Sequence, residues 1–390
     1  MTPLRAAALT ALVLLAPAPA PACTFCDGSV RSKQTLRLHF ARAKVVLHGQ
    51  LKNPRFDPAT DAGTTDLHVG TVLKDDPARR NRAVLTLPKY LPALGNTPPD
   101  YLMFCTVADG TLDPTYGLPA GTAVVEYVKA AAALDDADPG KALGFYFTHL
   151  DAADPAVAAD AFFEFARASD QDILKAVARF DAAKVRRLIA DPNTPVERLG
   201  VFAFLLGACG TADDAAFLAG LLKATPLSDR ASAAFGGLLA GYVLLAPKDG
   251  WAFTAAVLAD DRRGYAERLS AVGTVRFFQA TRPAQARADV LACCAALLPH
   301  GDLADQAVED LRRWGYWDLT ATVLAQFPKP THAAPIVRRS ILRYALTCPT
   351  AEAKTFVAAV RQTDPKLVKS VEDALAQFAP VTPPKPAPPR

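Results

Sequence analysis

Between residues 44 and 107 apolar side chains come in short, partly alternating runs, and from residue 141 onward they recur at every third and fourth position. The chain therefore passes from a strand period to a helix period part-way along. Lys44-Val-Val-Leu-His-Gly-Gln-Leu51 is β-branched and apolar, Thr64–Leu73 places Leu67, Val69 and Thr71 on one side, and Ala83–Leu87 and Tyr101–Val107 continue the pattern. Residues 52–63, with Asn53, Pro54, Pro58 and Gly63, read as a loop by their turn chemistry. Helices are expected on either side, at Thr35–Ala43 and Thr122–Leu134. Four or five short strands with Pro- and Gly-rich turns predict a small barrel or sandwich.

The later pattern is helical throughout. Ala158, Ala161, Phe162 and Phe165 share one face, as do Val201, Phe204 and Leu205, and Leu221 and Leu222 follow beyond the Gly207–Gly210 turn. Asp154-Pro155, residues 191–195, Asp260-Asp261, Gly301-Asp302 and residues 328–335 supply stops, caps and proline starts between helices. A similar start recurs at Pro195–Leu199, Tyr265–Leu269 and Pro335–Arg339. This resembles HEAT repeats, and at about 40 residues per unit the segment holds roughly six helix pairs. Each amphipathic pair has a face that only its neighbours can cover, so such pairs stack.

The amino terminus adds a compartment. Arg5 gives a short positive region, Ala6–Leu15 is an apolar run, and Ala20-Pro21-Ala22 has small residues where a signal peptidase cuts, so residues 1–22 read as a signal peptide and the mature chain would begin at Cys23. The apolar run is shorter than the roughly 20 residues of a membrane-spanning helix. The expected domains are then a β-rich domain over 23–140, a helical repeat domain over 141–378 and a proline-rich, extended tail over 379–390. Hydrophobic residues at 51% and charged residues at 21% belong to a folded chain. Net charge is +4, or +3 without Arg5. With no basic blocks interleaved with aromatics, nothing suggests a nucleic-acid partner.

Three readings of Cys23 stay open: acylation as a lipid anchor, a disulfide involving Cys23 or Cys26, and a redox couple in Cys23-Thr24-Phe25-Cys26. No strand precedes that motif to present it at a helix start, and Asp27 stands where haem attachment requires histidine. Cys209, Cys293, Cys294 and Cys348 lie in apolar helical contexts and read as small buried hydrophobes. The six histidines have no zinc-motif spacing, although His48 and His68 lie on neighbouring strand segments. No nucleophile elbow, Walker or dinucleotide glycine pattern occurs, and Gly236-Gly237-x-x-x-Gly241 reads as close helix packing. Acidic doublets at Asp135, Asp213 and Asp260 read as helix caps. Trp314-Gly-Tyr316-Trp317 is the densest aromatic cluster and a candidate partner contact, with core packing as its simpler role. No catalytic, metal or cofactor-binding residue is nominated, and no cofactor is expected.

Ala43, Val46, Leu47 and Gly49, the Thr-x-Leu-x-Val strand leading to Val72-Leu73-Lys74, and the Tyr101-Leu-x-Phe-Cys105 strand together resemble the netrin-module or metalloproteinase-inhibitor type of OB barrel. That resemblance implies Cys105 as a disulfide partner for Cys23 or Cys26. It also implies an inhibitory amino terminus, although inhibitors of that type start Cys-x-Cys and this chain has one residue more. Gly63–Leu67, Ala307–Gly315 and Ile336–Leu346 are similar to phrases in a family of exported proteins of planctomycete-type bacteria, which implies architecture but no mechanism. The expected fold class is a small N-terminal OB-like β-barrel followed by an α-helical HEAT-like repeat domain. The expected function is an exported, non-catalytic protein-binding scaffold, periplasmic or extracellular, with an enzyme inhibitor acting through Cys23 as the alternative.

Overall fold

The computed structural model describes residues 24–25, 32–92 and 99–377. The signal-peptide-like segment, Cys23, Cys26 and the proline-rich tail lie outside the described residues. Thr35 opens the first helix, α1 (Leu36–Arg42), by accepting from Leu38 N at 3.3 Å. Five strands follow: β1 (Val45–Asp57), β2 (Ala62–Lys74), β3 (Val84–Leu87), β4 (Asp100–Ala108) and β5 (Thr111–Pro119). They form one antiparallel sheet in the order β3-β2-β1-β4-β5.

Residues 52–57, expected in a loop, instead extend β1 into a long hairpin with β2. Asn53 has φ 51° where the ladder skips between Lys52 and Arg55, so Pro54 sits in a bulge that asks no N–H of it. Arg55 then grips Asp66 across the strands with two hydrogen bonds of 2.7 and 3.1 Å, and Asn53 and Thr86 add two more. The Arg55 bonds chiefly, with those of Thr86 and Asn53, hold the Asp66 carboxyl down to about 2. The sequence reading does not place β5. It follows a two-residue turn at Asp109-Gly110, whose φ values of 50° and 70° suit a tight hairpin.

The run Tyr101–Cys105 lacks a polar side because both faces of β4 are covered. Tyr101, Met103 and Cys105 join Val45, Leu47, Leu67 and Leu87 in one apolar cluster. Leu102 and Phe104, with Val46, point the other way into a second cluster that continues through the helices. Helix α2 (Thr122–Ala132) lays Val124, Tyr127 and Val128 on that face.

The remaining helices are α3 (Pro139–Thr148), α4 (Pro155–Arg167), α5 (Asp170–Ala176), α6 (Ala182–Ala190), α7 (Val196–Cys209), α8 (Ala212–Lys223), α9 (Asp229–Ala233), α10 (Phe235–Leu245), α11 (Pro247–Ala259), α12 (Tyr265–Thr281), α13 (Pro283–Leu297), α14 (Ala304–Trp314), α15 (Thr320–Leu324), α16 (Pro335–Thr347), α17 (Ala351–Thr363) and α18 (Pro365–Gln377). Their ends use the expected chemistry. Asp154 precedes Pro155 and caps α4, Thr211 and Asp214 form a capping box on α8, and Asp260 accepts from Arg262 N at 3.1 Å. Packing follows two layers: α7, α10 and α12 lie side by side, α11 lies against α13, and consecutive helices such as α12 and α13 or α16 and α17 pair across the layers.

Polar ties between helices recur at separations of 34 to 39 residues. Arg230 donates to the carbonyls of Asp191 and Thr194, Thr274 to Gly236, and Arg276 to Asp310. The buried His332 ring bonds the Leu298 carbonyl at 2.8 Å. Arg198 and Arg268 extend the pattern, Arg198 lying over Phe162 and Arg268 bonding Asp302 at 2.8 Å, whereas Arg338 lies over the nearer Phe327.

The expected close packing at the glycine run is found between α7 and α10. A Cβ on Gly237 would come within 2.0 Å of the Gly200 carbonyl oxygen, and one on Gly207 within 2.2 Å of Gly241 Cα. Gly273 on α12 differs, with nothing within 4 Å of an added Cβ. Urea denaturation should separate the two positions. Gly237→Ala is expected to lower stability by about 1–3 kcal/mol through overpacking, whereas Gly273→Ala should raise it by up to about 1 kcal/mol through helix propensity.

Candidate functional site

Of the residues nominated from sequence, Cys105 is a buried free thiol on the strand face turned away from the helices. Its expected pairing falls on Cys23 and Cys26, outside the described residues. Burial pushes its thiol up to about 12, and Cys294 likewise, while Cys209 rises to about 11. These thiols are chemically quiet. Trp314, Tyr316 and Trp317 are half-buried against the helical core. Trp317 meets Tyr344 edge-on at 5.0 Å, and the Tyr316 hydroxyl donates to Gln279 at 3.0 Å. His48 and His68 are not opposite one another, because His48 pairs with Thr71 and His68 with Gln50. His48 instead bonds the Ala120 carbonyl at 2.9 Å. Among the described residues no group of three or more His, Cys, Asp or Glu has a metal-binding arrangement.

Sequence reasoning missed a groove formed by α7, α9, α10 and α12. Its floor is glycine: Gly200, Gly236, Gly237 and Gly273 expose helix backbone where side chains would otherwise stand. Val196 and Ser270 stand at its sides, and the open volume is about 520 Å³. At one end lie Thr24 and Phe25. The Phe25 ring sits 5.3 Å from Phe204 and 5.0 Å from Phe277, which are themselves 5.2 Å apart and edge-on. The Phe25 carbonyl passes so near α7 that a Cβ at Gly200 would stand 3.0 Å from it. Thr24 is held from the other side by Asp170, the first residue of α5. Its backbone N–H donates to Oδ1 at 3.0 Å and its hydroxyl to Oδ2 at 2.5 Å. A buried carboxylate that receives both donors of one residue fixes its position and reads its hydroxyl. Comparison with known protein families, with curated proteins and with solved structures found no match for the chain.

What the groove can do follows from its surfaces. Exposed helix backbone lines the space together with the Glu197 carboxylate and the Ser270 hydroxyl, and the aromatic slot adjoins it. Val196, which lines the groove on α7, is 38% exposed, and Tyr265 and Leu269 on α12 are 54% and 37% exposed. On α12, Tyr265, Leu269 and Gly273 follow at four-residue steps and so share a face. Sequence offers a partial signal in the glycines, which read only as packing, and none for Thr24-Phe25, which are masked by their cysteine neighbours.

A second polar cluster joins the sheet to the helices. Asp160 on α4 is buried and accepts from Leu36 N at 2.6 Å and from the Tyr127 hydroxyl at 2.8 Å, tying α1, α2 and α4 together. Burial raises its carboxyl to about 6, against the opposing pull of those two donors. Burial also raises Glu164, one turn on. Asp160 does not line the neighbouring cavity of about 220 Å³ beside Arg37, Tyr146 and Glu164, so its geometry is that of a structural joint.

Because the folded carboxyl titrates above its unfolded value of 3.8, the stability tied to its protonated form is full below that value and is lost as pH rises through about 6. The difference corresponds to roughly 3 kcal/mol. Chemical denaturation of the wild type and Asp160→Asn at pH 4.5, 5.5 and 7 should show the wild type gaining on the variant as pH falls, approaching that amount. Parallel pH profiles would contradict the assignment.

Proposed function

We propose that this chain is an exported, non-catalytic scaffold that binds another protein through its helical layer. On this reading the helices are a HEAT-like array, supported by polar ties that recur at 34 to 39 residues. The sheet is an OB-like cap that covers one end, joined through Val46, Leu102 and Phe104 to the helical core. Export rests on the signal-peptide pattern of residues 1–22.

The observation that carries the proposal is the groove. It has a glycine floor, an aromatic slot between Phe204 and Phe277, and a carboxylate anchor at Asp170, and it already accommodates backbone, hydroxyl and ring from one dipeptide. Stacked helical units that leave a continuous surface commonly recognise extended segments by such means.

Gly273 provides a way to close the groove without disturbing the helices, since space is open beside it. Chemical crosslinking in the exported fraction of the native cell, with mass-spectrometric mapping, should give partner adducts on α7 and α12 for the wild type. Gly273→Leu should lose those adducts while its thermal midpoint stays level or rises. Identical adducts in both proteins, or none on either helix in the wild type, would contradict the proposal.

A further inference from the structure

We infer that the groove between α7, α10 and α12 recognises an extended protein segment in which a hydroxyl residue precedes a phenylalanine, and that Thr24 and Phe25 occupy it as the chain's own surrogate for that segment. This rests on the protein-binding reading and deepens it. Asp170 receives a backbone N–H and the hydroxyl of the same residue, 3.0 and 2.5 Å away. The first contact is open to any peptide with a free N–H, and the second selects serine or threonine. The next side chain then enters a slot whose walls, Phe204 and Phe277, are almost wholly buried and therefore fixed. Gly200 lets the incoming segment lie against helix backbone, since an added Cβ there would stand 3.0 Å from the Phe25 carbonyl.

The described pair leaves part of the groove open. About 520 Å³ stays open beside them, bordered by Val196, Ser270 and Gly273. A partner segment longer than the dipeptide would make the same anchor contacts and also use that space. Binding in trans would thus be a competition: the tethered pair holds the slot until a longer segment at sufficient concentration displaces it.

The probe is a capped synthetic hexapeptide, Ala-Ala-Thr-Phe-Ala-Ala, titrated against the full chain by saturation-transfer difference NMR. With Phe25→Ala the vacated slot should bind the peptide at least tenfold more tightly than wild type does. Adding Gly273→Leu to that variant should abolish the gain. Thr24→Ala removes only the hydroxyl contact and keeps the ring, so it guards against a folding defect in Phe25→Ala, and it should give a several-fold gain. Equal peptide affinity in wild type, Phe25→Ala and Thr24→Ala, with all three melting cooperatively, would overturn the inference. Because the peptide stands in for no particular partner, that result would leave the scaffold proposal to its own crosslinking test.

Discussion

The contact on which the helical layer depends is backbone against backbone. Helices α7 and α10 approach until Gly237 meets the Gly200 carbonyl and Gly207 meets Gly241. No side chain fits between them. Their glycines expose backbone to the groove, which α9 and α12 also line. A larger residue at either contact would separate the helices and move Phe204 relative to Phe277. The slot that receives Phe25 therefore follows from glycines that do not touch its ring, as well as from the aromatics that do. Dense packing transmits such a displacement, because close-packed interiors have little free volume to absorb it.

The rest of the molecule keeps that layer in register. Polar ties across 34 to 39 residues join helices along the layer, with Arg230 spanning to the Asp191 and Thr194 carbonyls and Arg276 to Asp310. At the sheet end Asp160 gathers Leu36, Tyr127 and α4. It carries a desolvation cost that its two donors only partly offset. Asp66 is the contrasting case. Two-pronged pairing with Arg55 and hydrogen bonds from Thr86 and Asn53 favour its ionised form, so it strengthens the hairpin where Asp160 makes the joint sensitive to pH.

Much of the architecture was legible because period reports burial. The switch from strand to helix period located the sheet and the helices, and Asp-Pro and capping signals marked helix starts that Asp154 and Thr211 cap, while Asp260 closes a turn onto Arg262 N. The hairpin of β1 and β2 was misread because Asn53 and Pro54 look like loop residues, whereas the bulge lets the strand continue past them. The strand β5 was passed over although Asp109-Gly110 is a strong hairpin turn. The groove was harder. Thr24 and Phe25 lie more than a hundred residues from Asp170, Phe204 and Phe277, and no local pattern records that they meet. The arginines at 198, 268 and 338 were a periodic signal in plain view, spaced evenly along the helical part. They fall within the recurring starts at Pro195–Leu199, Tyr265–Leu269 and Pro335–Arg339, but no local pattern names their aromatic and carboxylate partners.

The account stands on the docking of Phe25 between Phe204 and Phe277. Hydrogen–deuterium exchange of the full chain, comparing wild type with Phe25→Ala, tests it most directly, since amide protection tracks local opening. Faster exchange confined to residues 196–209 and 265–281, with the sheet unchanged, is the predicted result. Unaltered protection in both helices would contradict it, for a ring that leaves the slot must loosen the walls that held it.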